Sequence, residues 1–303
     1  MTIALTGSTG FVGQAVLDVA GHRDVPLRAL TRRSQNEREN VAWIEGGLGD
    51  TGALARLCEG ADAVIHVAGL TNTPDPAGFE EANVAGTARL IEAAKATKTR
   101  RFVFVSSLSA REPGLSAYGA SKAKAEALVE ASGLDWTIVR PPGVYGPRDV
   151  DYLEMFRSAK LGIVPLPPRG ASSIIHVEDL ARLLLDLVDA PPALVRRHLF
   201  EPDDGREGGW SHSELAQAIG KAVGRRVFAP HLPKTLMMTG ARIDRLLRGN
   251  KARLTPDRVG YMAHPNWVAR SAKKVPAAVW QPHIGGEEGL ACTAEWYRSQ
   301  GLL

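Results

Sequence analysis

The run from Thr6 to Gly13, TGSTGFVG, restricts the folds open to this chain more than any other feature. It joins a strand-like stretch, TIAL, to a helix-like one, FVGQAVLDVA. Glycines at such a junction turn the chain sharply and leave the backbone N–H groups of a helix N-terminus bare, which suits a pyrophosphate. A Cβ at these positions would block that approach. Gly7, Ser8, Thr9, Gly10, Phe11, Val12 and Gly13 are therefore the expected phosphate-binding residues for a dinucleotide.

Beyond this turn the chain keeps a regular rhythm. Short runs rich in Val, Ile and Leu alternate with longer helical patterns, the mark of βαβ units on a parallel sheet. Strands are expected near Thr2–Thr6, Leu27–Thr31, Val41–Glu45, Ala63–Val67, Arg101–Ser106 and Thr137–Arg140, with helices over Phe11–Ala20, Phe79–Ala96 and Ala117–Ala131. This is an α/β chain with a Rossmann-type doubly wound parallel sheet. After RPPGVYGP (Arg140 to Pro147) the pattern loosens, through a Pro-rich stretch at 165–168 and then a strand and helix over Ser173 to Asp189. Helices at Ser211–Val223, Lys234–Leu247 and Glu287–Ser299 suit a smaller, mostly helical C-terminal lobe for the substrate. The dinucleotide domain is expected over residues 1–149 and 173–204, the substrate lobe over 150–172 and 205–303.

Composition narrows the partners. With 303 residues, 44% hydrophobic and 23% charged, this is an ordinary globular composition, and no apolar run is long enough to span a bilayer. The glycine turn comes so early that a secretory leader has no room, so a cytoplasmic location without membrane insertion is expected. The net charge of +4 is scattered, apart from small clusters such as Arg32-Arg33 and Arg225-Arg226. That is not the basic stripe of a nucleic-acid binder. Cys58 and Cys292 fit neither a disulfide framework nor a metal-ligand spacing, so no metal is expected. The alanine-rich faces of the Phe79–Ala96 and Ala117–Ala131 helices would suit a homodimer, or equally packing onto their own sheet.

The second strand ends in LTRRS. A site for NAD usually carries an acid about 20 residues past the glycines, where it binds the ribose hydroxyls. Here Thr31 replaces the acid, and Arg32 and Arg33 offer cationic forks for a 2′-phosphate. NADP is the expected cofactor, in preference to NAD.

The fifth strand runs into VSSLSA, and YGASK follows. Tyr118 and Lys122 stand four residues apart at the start of a helix, hence on one face. A neighbouring ammonium favours phenolate, so such a tyrosine can pass a proton to or from a substrate oxygen. Ser107 is the expected hydroxyl that orients a substrate carbonyl, with Ser106 and Ser109 as alternatives. Ser107, Tyr118 and Lys122 form the expected catalytic group.

These residues carry a resemblance. TGSTGFVG, HVAG (His66 to Gly69), NVAGT (Asn83 to Thr87), VSS, YGASK, VRPPGVYGP and IHVEDLA (Ile175 to Ala181) occur in the order of the extended short-chain dehydrogenase/reductases, the NAD-dependent epimerase/dehydratase family. The resemblance covers almost the whole chain. It implies that Tyr118 is the acid/base, that Lys122 holds the nicotinamide ribose and lowers the Tyr118 pKa, and that Ser107 positions the substrate. It also implies a supporting role for Asn83, a path for Ala68 and Gly69 beneath the cofactor, and Pro141 to Val144, with Pro141 and Val144 foremost, along the nicotinamide. His66 is expected to be structural.

Three departures bear on the substrate. The family's Gly-Asp-Leu after the third strand, whose Asp contacts adenine, is Gly46-Gly47-Leu48 here, with Asp50 further on and the Leu48 backbone left to serve. Nucleotide-sugar members carry Asn where this chain has Gly143, and Arg-Asp where it has Ser172 and Ser173. Serine only partly replaces a bidentate phosphate partner, although Arg148 or Arg169 could compensate. A small, apolar carbonyl or alcohol substrate is expected, as in the ketoreductase and 3β-hydroxysteroid dehydrogenase branches. Leu236, Met237, Met238, Trp267 and Trp280 are candidates to line its pocket. The other readings are a nucleotide-sugar epimerase or dehydratase with retained NAD, and a dinucleotide-binding protein without turnover.

Overall fold

The computed structural model describes residues 1–73, 75–249, 252 and 254–303. In chain order its first elements are β1 (Ile3–Thr6), α1 (Phe11–His22), β2 (Leu27–Thr31), β3 (Val41–Glu45), α2 (Thr51–Cys58), β4 (Ala63–His66), α3 (Ala77–Phe79), α4 (Gly86–Ala96), β5 (Arg101–Val105), α5 (Ala117–Ala131) and β6 (Asp135–Val139). Then come β7 (Gly143–Tyr145), α6 (Asp151–Lys160), β8 (Ala171–Ser172), β9 (Ile174–His176), α7 (Val177–Asp189), α8 (Pro192–Val195), β10 (His198–Phe200), β11 (Trp210–Ser211), α9 (His212–Ala222), α10 (Lys234–Arg248), α11 (Pro256–Met262), β12 (Asn266–Trp267) and α12 (Gly286–Ser299).

The chain forms two compact units. The first takes residues 1–140, 180–200 and 275–280, and the second takes 141–179, 201–274 and 281–303. In the first, strands with apolar side chains on both faces can be covered only by helices on both sides. β1 and β4 are buried at every position. The result is a seven-stranded sheet in the order β10-β6-β5-β4-β1-β2-β3, parallel throughout. One cluster of its core joins Leu54, Leu57 and Cys58 of α2, Leu90 and Ile91 of α4, and Ala125 and Val129 of α5 to Phe102, Phe104 and Ile138 of the sheet.

The expected helix over Phe79–Ala96 exists but is not uniform. Between α3 and α4 the residues Glu80–Ala85 form a π-helical turn, and Asn83 lies within it. Widened turns of this kind are frequent at functional sites. Helices α2 and α6 add to the elements expected from the sequence. Asp50 starts α2, its Oδ1 accepting from Ala53 N at 2.9 Å.

The second unit is mostly helical. Its pairings are short: β7 with β9, and β8 between β11 and β12. Tyr145, Leu153, Phe156, Trp210, Ile219, Leu290 and Tyr297 fill its main core. Helix α9 starts on a capping box, in which Ser211 and Glu214 satisfy each other's backbone N–H groups.

Candidate active site

Parallel pairing brings the C-terminal ends of the strands to one edge. Thr6 lies opposite His66, Thr31 opposite Glu45 and Val105 opposite Val139. Strand order reverses at β1, with β2 and β3 on one side and the other strands on the other. Open α/β sheets take ligands at the crevice beside such a reversal.

The loops after β1 and β4 meet there. Gly7 has φ +74°, and a Cβ added to it would come within 2.7 Å of Ala68 N. A Cβ on Gly13 would sit 2.0 Å from Gly7 O, so α1 approaches the turn only because residue 13 lacks a side chain. Gly10 precedes α1 and no side chain caps the helix there. The first amides of α1, at the positive end of its dipole and clear of Cβ atoms, form a cradle that fits a pyrophosphate. Ser8 and Thr9 differ in role: Ser8 is buried and its Oγ donates to Leu30 O at 2.7 Å, whereas Thr9 is exposed.

Arg32 and Arg33 leave β2 exposed, and neither is in an ion pair among the described residues. Thr31 Oγ1 accepts from Arg33 N and donates to Arg33 O, which shapes this turn. A Cβ on Gly47 would lie 3.6 Å from Arg32 Cγ. The glycine that replaces the family's Asp therefore lies in contact range of the Arg32 stem and sets no acid beside it. Leu48 packs on Gly86 of α4, where a Cβ would come within 2.8 Å of Leu48 Cδ1.

Helix α5 begins on Ser116, whose Oγ accepts from Gly119 N. A Cβ on Gly119 would lie 2.6 Å from Ser109 O, so α5 presses directly on the turn after β5. Tyr118 packs its ring on Phe79 with centroids 5.8 Å apart. Lys122, one turn on, is buried; its Nζ donates to Val105 O at 2.7 Å and stands 4.4 Å from the Phe104 ring centroid. Burial lowers its pKa to about 8, against an opposing pull from Glu126. Glu126 is itself held by Arg140, with Nε 2.8 Å from Oε1. Of the three serines after β5, Ser106 and Ser109 are buried and Ser107 is half-buried. Ser107 Oγ accepts from Ser109 N and donates to Ser109 Oγ at 3.2 Å.

A buried polar string joins the cradle to α5. Thr87 Oγ1 spends its hydrogen on Asn83 O, so it must accept from His66 Nε2, 2.9 Å away. His66 Nδ1 then accepts from Thr6 Oγ1 at 2.6 Å, and Thr6 Oγ1 accepts from Ala68 N. Burial and the Lys122 charge lower the His66 pKa to about 3, which keeps the ring neutral. Asn83 Oδ1 accepts from Leu70 N, and its Nδ2 donates to Leu70 O and Ser121 Oγ. Ser121 Oγ closes the string on Tyr118 O at 2.8 Å. Thr6, Thr87 and Ser121 do not stand out in the sequence, although each lies inside a motif that does.

In the second unit, Pro141 is buried and Val144 lies in β7. A Cβ on Gly143 would fall 2.2 Å from the Tyr152 hydroxyl, so that oxygen occupies the space of the family's Asn. Ser172, at the position of the diphosphate-binding Arg, lies in β8, and Ser173 beside it donates through its Oγ to Asp203 Oδ2 at 2.9 Å and accepts from Ala269 N. Arg169 is exposed. Of the five candidate pocket residues, Leu236 and Met237 line an apolar groove. Met238 packs beside that groove's core, Trp267 Nε1 donates to Tyr261 O, and Trp280 is buried in the first unit.

Residues 7–191 match the model of the NAD(P)H-binding family. The chain belongs to that family, as an extended short-chain dehydrogenase/reductase. Ceramide reductase of Caulobacter vibrioides (strain NA1000 / CB15N) is 34% identical, over 99% of this chain and 96% of the relative. The 2-alkyl-3-oxoalkanoate reductase of Stenotrophomonas maltophilia (strain K279a) is 28% identical, over 96% and 97%. Among solved structures, that of MoeE5 in complex with UDP-glucose and NAD superposes with a TM-score of 0.76 at 21% identity, covering 99% of each chain. This family member is an NAD(P)-dependent oxidoreductase that takes a nicotinamide cofactor. Among the described residues no helix is long and apolar enough to cross a membrane.

Proposed function

We propose that this short-chain dehydrogenase/reductase uses NADPH to reduce a ketone, carried on an apolar and lipid-like molecule, to a secondary alcohol. The observation that carries the reading is Lys122, buried beneath the end of β5 and one helical turn from Tyr118. Gly7, Gly10 and Gly13 would hold the pyrophosphate, and Arg32 and Arg33 the 2′-phosphate. The cofactor supplies the hydride. Tyr118 donates its phenolic proton to the carbonyl oxygen, and Ser107 rotates its hydroxyl from Ser109 to hydrogen-bond the same oxygen. Among the three serines, only Ser107 is not fully buried. The Lys122 ammonium stabilises the phenolate that remains.

The substrate class rests on two supports. Both family contacts to a nucleotide sugar are missing, because the Tyr152 hydroxyl fills the space at Gly143 and Ser172 stands where those members carry the diphosphate-binding Arg. The two full-length relatives are named for reducing ceramide and 2-alkyl-3-oxoalkanoates, compounds that carry hydrocarbon chains. The test is NADPH oxidation with long-chain 3-oxo compounds by the wild type and Tyr118→Phe. Loss of the general acid should cut turnover about 10²–10⁴-fold while NADPH affinity holds. Unchanged turnover removes Tyr118 from the mechanism. Retained NAD and turnover of a UDP-sugar would replace the reading with an epimerase.

A further inference from the structure

Helix α10 carries three faces. Met237, Ala241 and half-buried Asp244 recur at helical spacing and face inward, with Met237 and Ala241 packed on Val259. A second face shows Leu236, Ile243, Leu246 and Leu247 to solvent, the last two 85% and 78% exposed. At about 100° per residue these side chains form one stripe along the helix. The third face is basic, with Lys234, Arg242 and Arg245.

The apolar surface continues beyond the helix. Leu236 and Ile243 line a groove of about 380 Å³ together with Pro165, Pro167 and Leu232. Those last three belong to two extended segments held by the bonds Val164 N to Phe228 O, Leu166 N to Pro230 O and Leu232 N to Leu166 O. Alternation along the segments puts Ile163 on the face of Pro165 and Pro167, and Phe228 on that of Leu232. Ile163 and Phe228 are both exposed. Contiguous exposed apolar surface of this kind marks an interaction site.

Charge identifies what covers it. Arg225, Arg226, Lys234, Arg242 and Arg245 are exposed on or beside this surface, and none is in an ion pair among the described residues. Asp244, the only acid on α10, is engaged by Arg248 and by Leu254 N. Self-pairing through this face would bring the unpaired cations of two copies together. An anionic bilayer surface instead meets both features, since headgroups neutralise the cations while the leucines enter the acyl boundary. The helix is about 22 Å long, too short to cross a hydrocarbon core of about 30 Å, so it lies in the plane of the interface.

We propose that α10 and the adjoining groove are a docking face for an anionic phospholipid surface. The proposal does not rest on the ketone-reductase reading. The experiment is flotation of the full chain with vesicles of phosphatidylcholine alone, or with phosphatidylglycerol added, at low and high salt. Binding is expected only to the phosphatidylglycerol vesicles, and salt should weaken it. Each cation removed should cost about fivefold in partitioning, hence about 25-fold for Arg242→Gln with Arg245→Gln. Leu246→Gln with Leu247→Gln should abolish flotation. All four positions are exposed, so circular dichroism and NADPH affinity should match wild type. Absence of flotation, or flotation indifferent to both double variants, overturns the proposal. So does a concentration-dependent dimer that the leucine variant dissociates, which would assign the face to a second copy.

Discussion

His66 ties the site to the acid stability of the first unit. Its ring is fully buried, accepts from Thr6 and donates to Thr87, and is neutral because its pKa falls from 6.5 to about 3. The unfolded chain therefore binds one more proton than the folded chain between those values, and stability falls as pH drops through that window. The slope is about 1.36 kcal/mol per pH unit. Between pH 6.5 and 4.5 the loss is about 2 kcal/mol, and below pH 3 it levels off at on the order of 5 kcal/mol. His66→Gln lacks this titration. It should be less stable than wild type at pH 7, and the gap should narrow by about 2.5 kcal/mol by pH 4.5. Urea unfolding followed by tryptophan fluorescence at a series of pH values measures both. A gap that stays constant with pH would show that His66 takes up its proton equally in both states, and the neutral-ring argument would fail.

Other consequences can be checked separately. Arg32→Ala with Arg33→Ala should weaken NADPH by about 10-fold or more, as loss of charge-assisted phosphate bonds requires, and leave NADH nearly unchanged; calorimetric titration that shows equal weakening would clear both arginines of a role at the 2′-phosphate. Lys122 should titrate near 8 in the apo protein, because burial disfavours its ammonium; NMR of ¹³C-labelled lysines, assigned with Lys122→Met, would contradict this if every resonance moved near 10.5. Gly13→Val should abolish dinucleotide binding, since its first atom alone would stand 2.0 Å from Gly7 O; wild-type affinity in that variant would mean the turn is not the cradle.

Much of the first unit is legible in contiguous residues. The strands Leu27–Thr31 and Val41–Glu45 and the helix Ala117–Ala131 have the bounds expected from their patterns. Helix α2 is absent from the expected elements although its signal is present, an Asp50 cap with Leu54 and Leu57 at helical spacing behind it. Asp50 invites comparison with the family's adenine contact, and that comparison hides its use as a cap. The π-helical turn at Glu80–Ala85 has no local signature, because the amide of Asn83 is placed by Leu70 and Ser121, which lie elsewhere in the chain.

That contrast separates what the sequence alone determined from what the fold decided. The glycine turn, the paired arginines and the Tyr118–Lys122 spacing are local: each depends on the conformational freedom or charge of adjacent residues, so the linear order suffices. The surroundings of Lys122 under Val105, the approach of Arg32 to Gly47 and the Tyr152 hydroxyl in the space at Gly143 are not. Each depends on where packing brings distant segments, and only the whole fold sets that distance.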